Sequence, residues 1–388
     1  MLYDFTFVNK TKIYFGKDSL NYLNDELKNY GKNILLVYGK GSIKKIGLYD
    51  EVISILKKHH KNIFELSNIS PNPRYKEVLK GKRLVLEHNI DLILAVGGGS
   101  VIDCSKAISV VSYAKGNAFR KYWIENKKVN HKLVPVASIL TMVGTGSEAN
   151  AGSVITNTTL KLKKGRVFDE DVNPRFSILN PLYTYSVSKY QMASGIFDCM
   201  SHLLEEYFSG TDNNVSDYLL EGLMLALIDN AKVAMVDPTN YEARSNIMWC
   251  ATMALNKITA VSKLQDWQVH SIEHQLGAYT DCAHGAGLAV ISIPYYKLIY
   301  KYGLDKFVRF ATTVFKVDPT NLTKDEIALK GIDELKEFIK VLELPFTLKE
   351  LNTKKEDLPL IADSTDLGGG YHDLTKEEVL SILEACYE

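Results

Sequence analysis

The sequence predicts two domains, an α/β domain with a parallel sheet over residues 1–187 and an all-α domain over residues 188–388. In the first half, short continuous apolar runs alternate with stretches of helical spacing, as in strands buried on both faces of a parallel sheet. In the second half, β-branched runs become rare and apolar residues recur at i, i+3 and i+4, which indicates helices. A chain of 388 residues is also too long for one ordinary core.

The predicted elements follow the chain in order. Strands are predicted at 33–38, 63–66, 91–96 and 133–139, and helices at 49–59 and 74–88. The clearest helices of the second half are predicted at 219–233, 243–255 and 325–341. Asn180-Pro181 is expected to end the last strand, because proline disfavours helix at the residue before it. Residues 353–371, with three consecutive glycines, are predicted to form an irregular surface loop.

Composition limits the functional class. Lys plus Arg equals Asp plus Glu at 46 each, so no basic excess favours a nucleic-acid partner. No apolar run approaches the roughly 20 residues of a membrane span, and the first residues lack a signal-peptide pattern. The five cysteines are scattered without a CxxC pair, so neither disulfides nor a thiolate zinc site is expected. We therefore expect a cytoplasmic protein without nucleic-acid or membrane partners.

Two glycine-rich turns directly follow predicted strands, Gly39-Lys40-Gly41-Ser42 and Gly97-Gly98-Gly99-Ser100. A strand that ends in glycines and opens into a helix presents backbone N–H groups and a helix N-terminus to an anion. Glycine also allows a pyrophosphate to approach the backbone closely. Neither turn matches G-x-G-x-x-G, and each alone could be a plain tight turn. Two such turns in one parallel domain favour a dinucleotide site.

Two further segments are candidates for the same site. Asp103 and Lys106 follow the second turn on one predicted helix, where the simpler interpretation is a solvated face with Asp103 offsetting the helix dipole. The segment 141–148 is rich in small hydroxyl donors and follows a predicted strand. The candidate cofactor-binding residues are Gly39, Lys40, Ser42, Gly97, Gly98, Gly99, Ser100, Asp103, Thr141, Thr145 and Ser147.

A second group of residues suggests a metal site. Asp198 and His202 lie four residues apart, which places both on one face of a helix. His270, His274 and His284 fall within fifteen residues, and the first two again have i, i+4 spacing. One carboxylate and three imidazoles suit Fe²⁺ or Zn²⁺ and are too nitrogen-rich for Mg²⁺ or Ca²⁺. Any one histidine alone is more often an ordinary residue, but the set Asp198, His202, His270 and His284 predicts one divalent ion.

An alternative metal chemistry uses part of the same set. Residues 270–274 fit H-x-x-E-H, the inverted zinc-protease motif, in which Glu273 would be the general base. His270 and His274 would then both be ligands. This interpretation leaves Asp198, His202 and both glycine-rich turns unexplained, so the dinucleotide-linked site is favoured.

Together these motifs resemble those of the iron-containing, or group III, alcohol dehydrogenase family. The resemblance covers essentially the whole chain, with GGGSVIDCSK at 97–106, TMVGTGSE at 141–148, DCMSH at 198–202 and HSIEHQLGAYTDCAHG at 270–285. The segments YGKGSIKK at 38–45 and PNPR at 71–74 are similar to those of butanol dehydrogenases and broad-range aldehyde reductases. The resemblance implies a Rossmann-like dinucleotide-binding domain, an all-α metal-binding domain and interconversion of small primary alcohols and aldehydes. By analogy, a homodimer is also expected.

The resemblance also implies roles for individual residues. Asp198, His202, His270 and His284 match the family's metal ligands. His274 matches a histidine that lines the substrate and nicotinamide site, so it is the catalytic candidate, as a proton relay or as a residue that shapes the pocket. Lys164 matches a lysine near the cofactor phosphates. The chain departs from the family pattern in its basic segment 161–168 and in Ser188, where many members have proline.

The choice of cofactor depends on the end of the first strand. Members that prefer NAD carry an acidic residue there, which accepts bonds from the ribose hydroxyls and repels a 2′-phosphate. The position is Gly39 here, with Lys40, Ser42, Lys44 and Lys45 nearby. Losing a carboxylate and gaining donors and positive charge predicts NADP(H) in preference to NAD(H).

Two other functions remain as alternatives. A glycerol or other polyol dehydrogenase, or a dehydroquinate synthase, would share the fold with a different ligand set. A protein without catalytic activity that merely retains a dinucleotide would need no ligand set at all. The spacing HxxxHxxxxxxxxxHG argues against the first, and the complete ligand set argues against the second.

Overall fold

The computed structural model describes Leu2, residues 4–210 and residues 214–388. Contacts between Cα atoms divide the chain into two compact units. The first, the sheet unit, comprises Val8–Val187, and the second, the helical unit, comprises Met1–Phe7 with Ser188–Glu388.

The sheet unit contains a six-stranded, fully parallel sheet in the order β1-β8-β5-β4-β2-β3. Its strands are β1 (Lys12–Phe15), β2 (Asn33–Tyr38), β3 (Asn62–Leu66), β4 (Leu92–Gly97), β5 (Val136–Leu140) and β8 (Phe176–Leu179). Apart from half-buried Asn33 at the start of β2, the residues of the central strands β2 and β4 are buried on both faces, as the continuous apolar runs predict. The predicted parallel sheet is therefore confirmed.

A separate antiparallel hairpin, which the sequence analysis does not predict, joins β6 (Gly152–Asn157) to β7 (Leu162–Val167). The helices of the sheet unit are α1 (Leu23–Glu26), α2 (Ser42–Lys45), α3 (Leu48–Lys58), α4 (Tyr75–His88) and α5 (Gly99–Ser112). Short 3-10 helices lie at Ser19–Tyr22, Leu27–Asn29, Ser147–Ala149, Glu170–Val172 and Pro181–Thr184, and a π-helical turn lies at Arg120–Ile124. Helix α5 is buried along almost its whole surface, because strands and helices pack around it.

The described part of the helical unit contains helices and connecting segments, as predicted. Its helices are α6 (Lys189–Tyr207), α7 (Val215–Val236), α8 (Tyr241–Ala254), α9 (Gln268–Thr280), α10 (His284–Ile299), α11 (Leu304–Thr313), α12 (Lys324–Val341), α13 (Leu358–Ser364) and α14 (Lys376–Ala385). Two 3-10 helices lie at Tyr300–Gly303 and Lys355–Asp357. Helix α13 falls inside 353–371, so the prediction of an irregular loop is wrong there. Ser188 caps α6 by accepting a hydrogen bond from Gln191 N at 3.3 Å, which gives this departure from proline a structural role.

Two further sequence predictions can be compared with the structure. Across the described residues, no helix combines the length and the apolar character needed to cross a membrane. All five cysteines are free thiols, and Cys282 is half-buried whereas the other four are buried.

Candidate functional site

Three helices of the helical unit bring the predicted metal ligands together. Helix α6 carries Asp198 and His202, α9 carries His270, and α10 begins at His284. The Nε2 atoms of His202, His270 and His284 lie 3.5, 3.7 and 3.5 Å from Asp198 Oδ1. These separations are long for hydrogen bonds, but two ligands of a tetrahedral ion bound at 2.0–2.1 Å are about 3.4 Å apart. Each of the three imidazole nitrogens thus lies at the spacing expected between a ligand of one ion and the Asp198 oxygen.

Glycine allows the helices to approach closely enough for this arrangement. A Cβ on Gly285 would lie 1.8 Å from the carbonyl oxygen of Ser194, so α10 begins in direct backbone contact with α6. Any larger residue would push His284 away from Asp198. No local sequence pattern reveals this contact, because Ser194 lies ninety-one positions earlier in the chain.

Burial and missing partners also fit a bound ion. Asp198, His202 and His270 are 4%, 4% and 7% exposed, and they form one group with ligand spacing. Within the described residues, Asp198 Oδ1 and His270 Nε2 have no hydrogen-bond partner. Because a buried polar atom without a partner costs free energy, both atoms require something to face. A divalent ion among the four side chains would satisfy both.

The protonation states suit a metal site. Burial lowers the pKa of His202 to about 3, which leaves the neutral imidazole that metals bind. Burial alone would raise the pKa of the Asp198 carboxyl, but the imidazoles of His202, His284 and His270 lower it below its ordinary range. Burial opposes a charged His270, yet Glu205 and Asp198 raise its pKa to about 10, so an ion binding there displaces a proton.

Two buried glutamates are hydrogen-bonded to two of the imidazoles on the side of the ring away from Asp198. Glu205 bonds Nδ1 of His270, and Glu273 bonds Nδ1 of His284, so both rings turn Nε2 towards Asp198. The side chains of both glutamates are completely buried. Carboxylates in this position orient metal-binding imidazoles and raise their basicity.

Glu205 is not among the residues predicted from the sequence. The available signal is a carboxylate three positions after His202, on the same predicted helix, although the adjacent Glu206 gives the same signal. Glu205 is further fixed by Ser201 Oγ, which donates at 3.2 Å, and by the backbone N–H of Val269 at 3.1 Å. These bonds keep the carboxylate from turning away from His270.

The protease interpretation of residues 270–274 is wrong. Its general base, Glu273, is buried and bonded to His284, so it cannot activate water at an open ion. Glu273, His274 and His284 do form a second group with ligand spacing. However, His284 uses Nδ1 for Glu273 and directs Nε2 to Asp198. His274 instead packs its ring against that of His284, with centroids 5.6 Å apart.

The sheet unit brings most of the predicted cofactor-binding residues to one edge. The turn 39–42 follows β2, the turn 97–100 follows β4, and the segment 141–148 follows β5. These three strands are neighbours and parallel, so the segments meet at their carboxyl ends. The strand order reverses between β2 and β4, which is where open α/β sheets bind ligands.

The glycines of the second turn are required by packing within the protein. A Cβ on Gly99 would lie 2.3 Å from Thr145 Oγ1, and one on Gly98 would lie 2.9 Å from Met142 Cβ. A Cβ on Gly97 would lie 2.5 Å from Val101 Cγ2. The two loops can therefore contact each other only through glycine, a reason that the sequence analysis does not include.

Asp103 and Lys106 do not form a solvated helix face, so that interpretation is wrong. The Asp103 carboxylate accepts bonds from Ser147 Oγ at 2.5 Å and from Val154 N at 2.8 Å. Lys106 is completely buried and donates from Nζ to Ser147 O at 2.9 Å and to Asn150 O at 3.2 Å. Asp103, Lys106 and Ser147 thus hold the loop after β5 in place from the side of α5.

The structure distinguishes Lys164 from its neighbour. Successive residues on β7 point to opposite faces, and Lys163 is 3% exposed whereas Lys164 is only half-buried. The lysine on the buried face of the hairpin is therefore Lys163. If the basic segment 161–168 is matched to the family pattern one residue out of place, a lysine on one face of the strand is mistaken for its neighbour on the other face.

A carboxylate lies beside the first turn after all, on the neighbouring strand β3. Glu65 accepts hydrogen bonds from Tyr38 OH at 2.7 Å and from Tyr49 OH at 3.0 Å. Lys44 Nζ lies 4.4 Å from the ring centroid of Tyr49 and 5.3 Å from that of Tyr38. The negative charge near Gly39 is thus bonded to two tyrosines and has a lysine close by.

The parallel sheet with glycine-rich turns at its switch point, and the site for one divalent ion, define the class as metal-dependent, dinucleotide-linked oxidoreductases. Two family models match the chain, "Iron-containing alcohol dehydrogenase" over residues 10–181 and the C-terminal domain of the Fe-containing alcohol dehydrogenase family over residues 192–387. The chain belongs to the iron-containing alcohol dehydrogenase family, whose members use a divalent metal and a nicotinamide cofactor.

Individual relatives agree over nearly the whole chain. The chain is 38% identical to NADH-dependent butanol dehydrogenase A of Clostridium acetobutylicum, covering 97% of this chain and 98% of the relative. It is 31% identical to the NADPH-dependent aldehyde reductase YqhD of Escherichia coli, covering 99% of each. The crystal structure of NADH-dependent butanol dehydrogenase A from Thermotoga maritima matches with a TM-score of 0.94 and 34% identity, covering 100% of this chain and 99% of that one.

Proposed function

We propose that this protein interconverts small primary alcohols, of the size of butanol, and the corresponding aldehydes. In this proposal the sheet unit binds the nicotinamide dinucleotide, and the helical unit binds Fe²⁺ or Zn²⁺ through Asp198, His202, His270 and His284. The observation that carries it is the placement of three imidazole Nε2 atoms 3.5–3.7 Å from one carboxylate oxygen. The names of the butanol dehydrogenase and aldehyde reductase relatives support the substrate class.

The residues divide the chemistry among them. When bound, an ion held by these four residues would supply Lewis-acid polarisation of the substrate oxygen, and a dinucleotide would supply or accept the hydride. Asp198 supplies negative charge to hold the cation, and Glu205 and Glu273 keep His270 and His284 in the tautomer that directs Nε2 towards it.

His274 is the proposed proton relay for the substrate hydroxyl. Its ring lies against His284, with centroids 5.6 Å apart, and 6.1 Å from that of His270. A histidine near the ligands but outside the set of four can exchange protons without any ligand having to leave the metal. His274→Ala should lower turnover by about a hundredfold and leave the metal content at one ion per chain. Loss of the ion in this variant would place His274 among the ligands instead.

A steady-state panel tests the reaction. Protein reconstituted separately with Fe²⁺ and with Zn²⁺ is assayed with aldehydes from two to six carbons and, in oxidation, with the alcohols and glycerol. We expect aldehyde reduction with at least one metal, and metal-free protein without turnover. The proposal fails if no aldehyde is reduced, or if glycerol is oxidised with higher kcat/KM than butanol.

We propose NADP(H) as the preferred cofactor. Gly39 supplies no carboxylate at the end of β2, Lys40 and Ser42 are exposed beside it, and Glu65 is bonded to two tyrosines. NAD(H) is the second candidate, because the two butanol dehydrogenases described above are named NADH-dependent and Glu65 lies on the adjacent strand.

Comparing kcat/KM for NADPH and NADH decides between the two cofactors. We expect a ratio well above one, and Gly39→Asp should lower that ratio by about tenfold or more, because a carboxylate there repels the 2′-phosphate. Equal efficiency with both cofactors, or a preference for NADH, would overturn the proposal. In that case, Glu65→Gln should weaken the use of NADH.

Lys163 is the proposed lysine for the cofactor phosphates, in place of Lys164. Its support is burial on the inner face of the hairpin. A charge-assisted bond to phosphate is worth enough that Lys163→Met should raise KM for the dinucleotide by about tenfold. Lys164→Met, the matched control on the opposite face, should change it by less than about twofold. A larger rise in KM for Lys164→Met than for Lys163→Met would assign this role to Lys164 instead.

A further inference from the structure

Trp267, just before α9, has an unfavourable backbone conformation. Its φ of +68° and ψ of +12° lie in the left-handed region, which side chains rarely adopt. Of the described non-glycine residues with positive φ, it has the largest side chain. Such a conformation costs free energy and persists only where the surrounding structure imposes it.

The residue before Trp267 is fixed by buried hydrogen bonds. The Asp266 N–H donates to the backbone oxygen of Glu205 at 3.1 Å. The Asp266 carboxylate accepts from Tyr295 OH and from Gln268 N at 3.3 Å. The segment is thereby tied to α6 through Glu205, and to α10 through Tyr295.

The residue after Trp267 is fixed by the glycine-rich loop 368–370 and by the residues that follow it up to Leu374. Gln268 Nε2 donates to the backbone oxygens of Gly369 at 3.0 Å and His372 at 2.8 Å, and Gln268 Oε1 accepts from Leu374 N at 3.0 Å. The loop also touches Asp266, because a Cβ on Gly370 would lie 2.6 Å from Asp266 Cγ. Both neighbours of Trp267 are therefore held, and the strained residue between them has no freedom to relax.

The indole of Trp267 lies against two of the three imidazoles of the proposed metal site. Its centroid is 5.3 Å from that of His270 and 6.0 Å from that of His202, in edge-to-face contact with both. The two imidazoles stack on each other at 4.8 Å. Trp267 Nε1 donates to Gln265 Oε1 at 2.7 Å, which fixes the rotation of the indole.

His202 depends on these ring contacts more than the other two imidazoles do. His270 and His284 each have a glutamate bonded to Nδ1, whereas His202 Nδ1 has no hydrogen-bond partner in the described chain. The orientation of the His202 ring is therefore set by stacking on His270 and by the edge-to-face contact with Trp267.

We propose that Trp267 is a positioning residue for the metal site. The strained backbone aims the indole at His202 and His270, and the indole holds the His202 imidazole with Nε2 towards Asp198. This inference rests on the proposed metal-binding function. It adds a role for the Trp267 side chain. It also connects the proposed metal site to the loop 368–370, which is distant in sequence.

Cobalt binding to the metal-free protein tests the proposal. The dissociation constant for Co²⁺ and the visible Co²⁺ absorption spectrum are measured for Trp267→Gly and Trp267→Phe. Glycine removes the indole but accepts the left-handed backbone, so the metal-free variant should fold. We expect Trp267→Gly to bind Co²⁺ about tenfold more weakly, with an altered spectrum, and Trp267→Phe to be affected less. Unchanged affinity and spectrum in Trp267→Gly would overturn the proposal.

A second pair of variants tests the loop without touching the indole. Gly370→Ala places a methyl group against Asp266. Gly368→Ala also has a positive φ, +108° against +69° for Gly370, but its nearest neighbour is Asp373 Oδ1 at 3.6 Å. We expect weaker Co²⁺ binding for Gly370→Ala and unchanged binding for Gly368→Ala. Equal affinity in the two variants contradicts the proposed connection and, should Trp267→Gly not fold, overturns the proposal.

A third variant separates failure of this inference from failure of the proposed function. His202→Ala should lose Co²⁺ binding if the four residues form the site. If His202→Ala binds Co²⁺ like the wild type, the metal-site assignment itself is wrong, and the role of Trp267 falls with it. If His202→Ala loses the ion but Trp267→Gly keeps it unchanged, only the inference about Trp267 is wrong.

Discussion

The proposed metal site of the helical unit and the glycine-rich edge of the sheet unit are built in opposite ways. At the metal site, side chains from α6, α9 and α10 converge, and buried glutamates orient two of them. At the edge, the backbone forms the surface, and glycines are needed because the loops pack on one another. The comparison teaches that substitutions should fail differently in the two regions, through loss of the ion in one and through loss of packing in the other.

The largest effect should come from removing a metal ligand. His202→Ala leaves three of four ligands, so we expect the bound ion to be lost and turnover to fall by about a thousandfold, since several kcal/mol of stabilisation disappear. Metal content by emission spectroscopy and kcat with a saturating aldehyde check this. His88→Ala, on a half-buried histidine that stacks on Phe64 in the sheet unit, is the control and should change neither. Retention of the ion in His202→Ala would contradict the view that substitutions in this region act through loss of the ion.

The glutamates behind the imidazoles should matter less than the ligands but still measurably. Glu205→Gln and Glu273→Gln keep the shape of the side chain but weaken the bond to Nδ1, so the affinity for Zn²⁺ should fall by about 10- to 100-fold. Competition with a chelator measures this. Glu206→Gln is the matched control, since Glu206 is a buried neighbour of Glu205 on α6. Equal affinities in all three variants would remove the role assigned to the two glutamates.

The glycine-rich edge should respond to added volume. Gly99→Ala places a Cβ 2.3 Å from Thr145 Oγ1, and overpacking of this kind costs about 1–3 kcal/mol of unfolding free energy. Thr145→Ala in the same chain removes the two nearest atoms, Oγ1 and Cγ2, and should recover most of that loss. Urea unfolding of the two single variants and the double variant measures the coupling. Purely additive effects would show that the two loops do not depend on each other.

The parts of the fold that could be predicted from the sequence are those whose pattern is local. Strands β2 and β4 and helices α7, α8 and α12 were open to prediction because their apolar spacing is local. The ligand set was visible as residue types at helical spacing. The hairpin of β6 and β7 was not, because β7 reads Leu-Lys-Lys-Gly-Arg-Val and lacks an apolar alternation.

The residues that the sequence does not reveal depend on distant contacts. Glu205 acquires its role from His270, which lies 65 positions away. Gly99 is required by Thr145, and Gly285 by Ser194, neither of which is a neighbour in sequence. Lys163 and Lys164 differ only in which face of a strand they occupy, which the pairing of the hairpin decides. Local patterns therefore predicted the elements, and tertiary packing decided which side chains touch.

The last prediction concerns a buried carboxyl outside the proposed metal site. Burial raises the pKa of Glu206 to about 8, so from about pH 5 to pH 8 the folded chain holds a proton that the unfolded chain has lost. Wild-type stability should therefore fall through this window, by up to about 1.4 kcal/mol per pH unit, relative to Glu206→Gln. Urea unfolding of both metal-free proteins at pH 5.5 and pH 8 measures the difference. A parallel pH dependence of the two proteins would contradict the raised pKa.

X-ray absorption at the zinc edge tests the central claim most directly, because it counts the ligands of the bound ion. For protein loaded with one Zn²⁺ per chain, the account predicts three imidazole nitrogens and one carboxylate oxygen at about 2.0–2.2 Å. A first shell with fewer than two imidazoles, or one that is unchanged in His202→Ala, would contradict it.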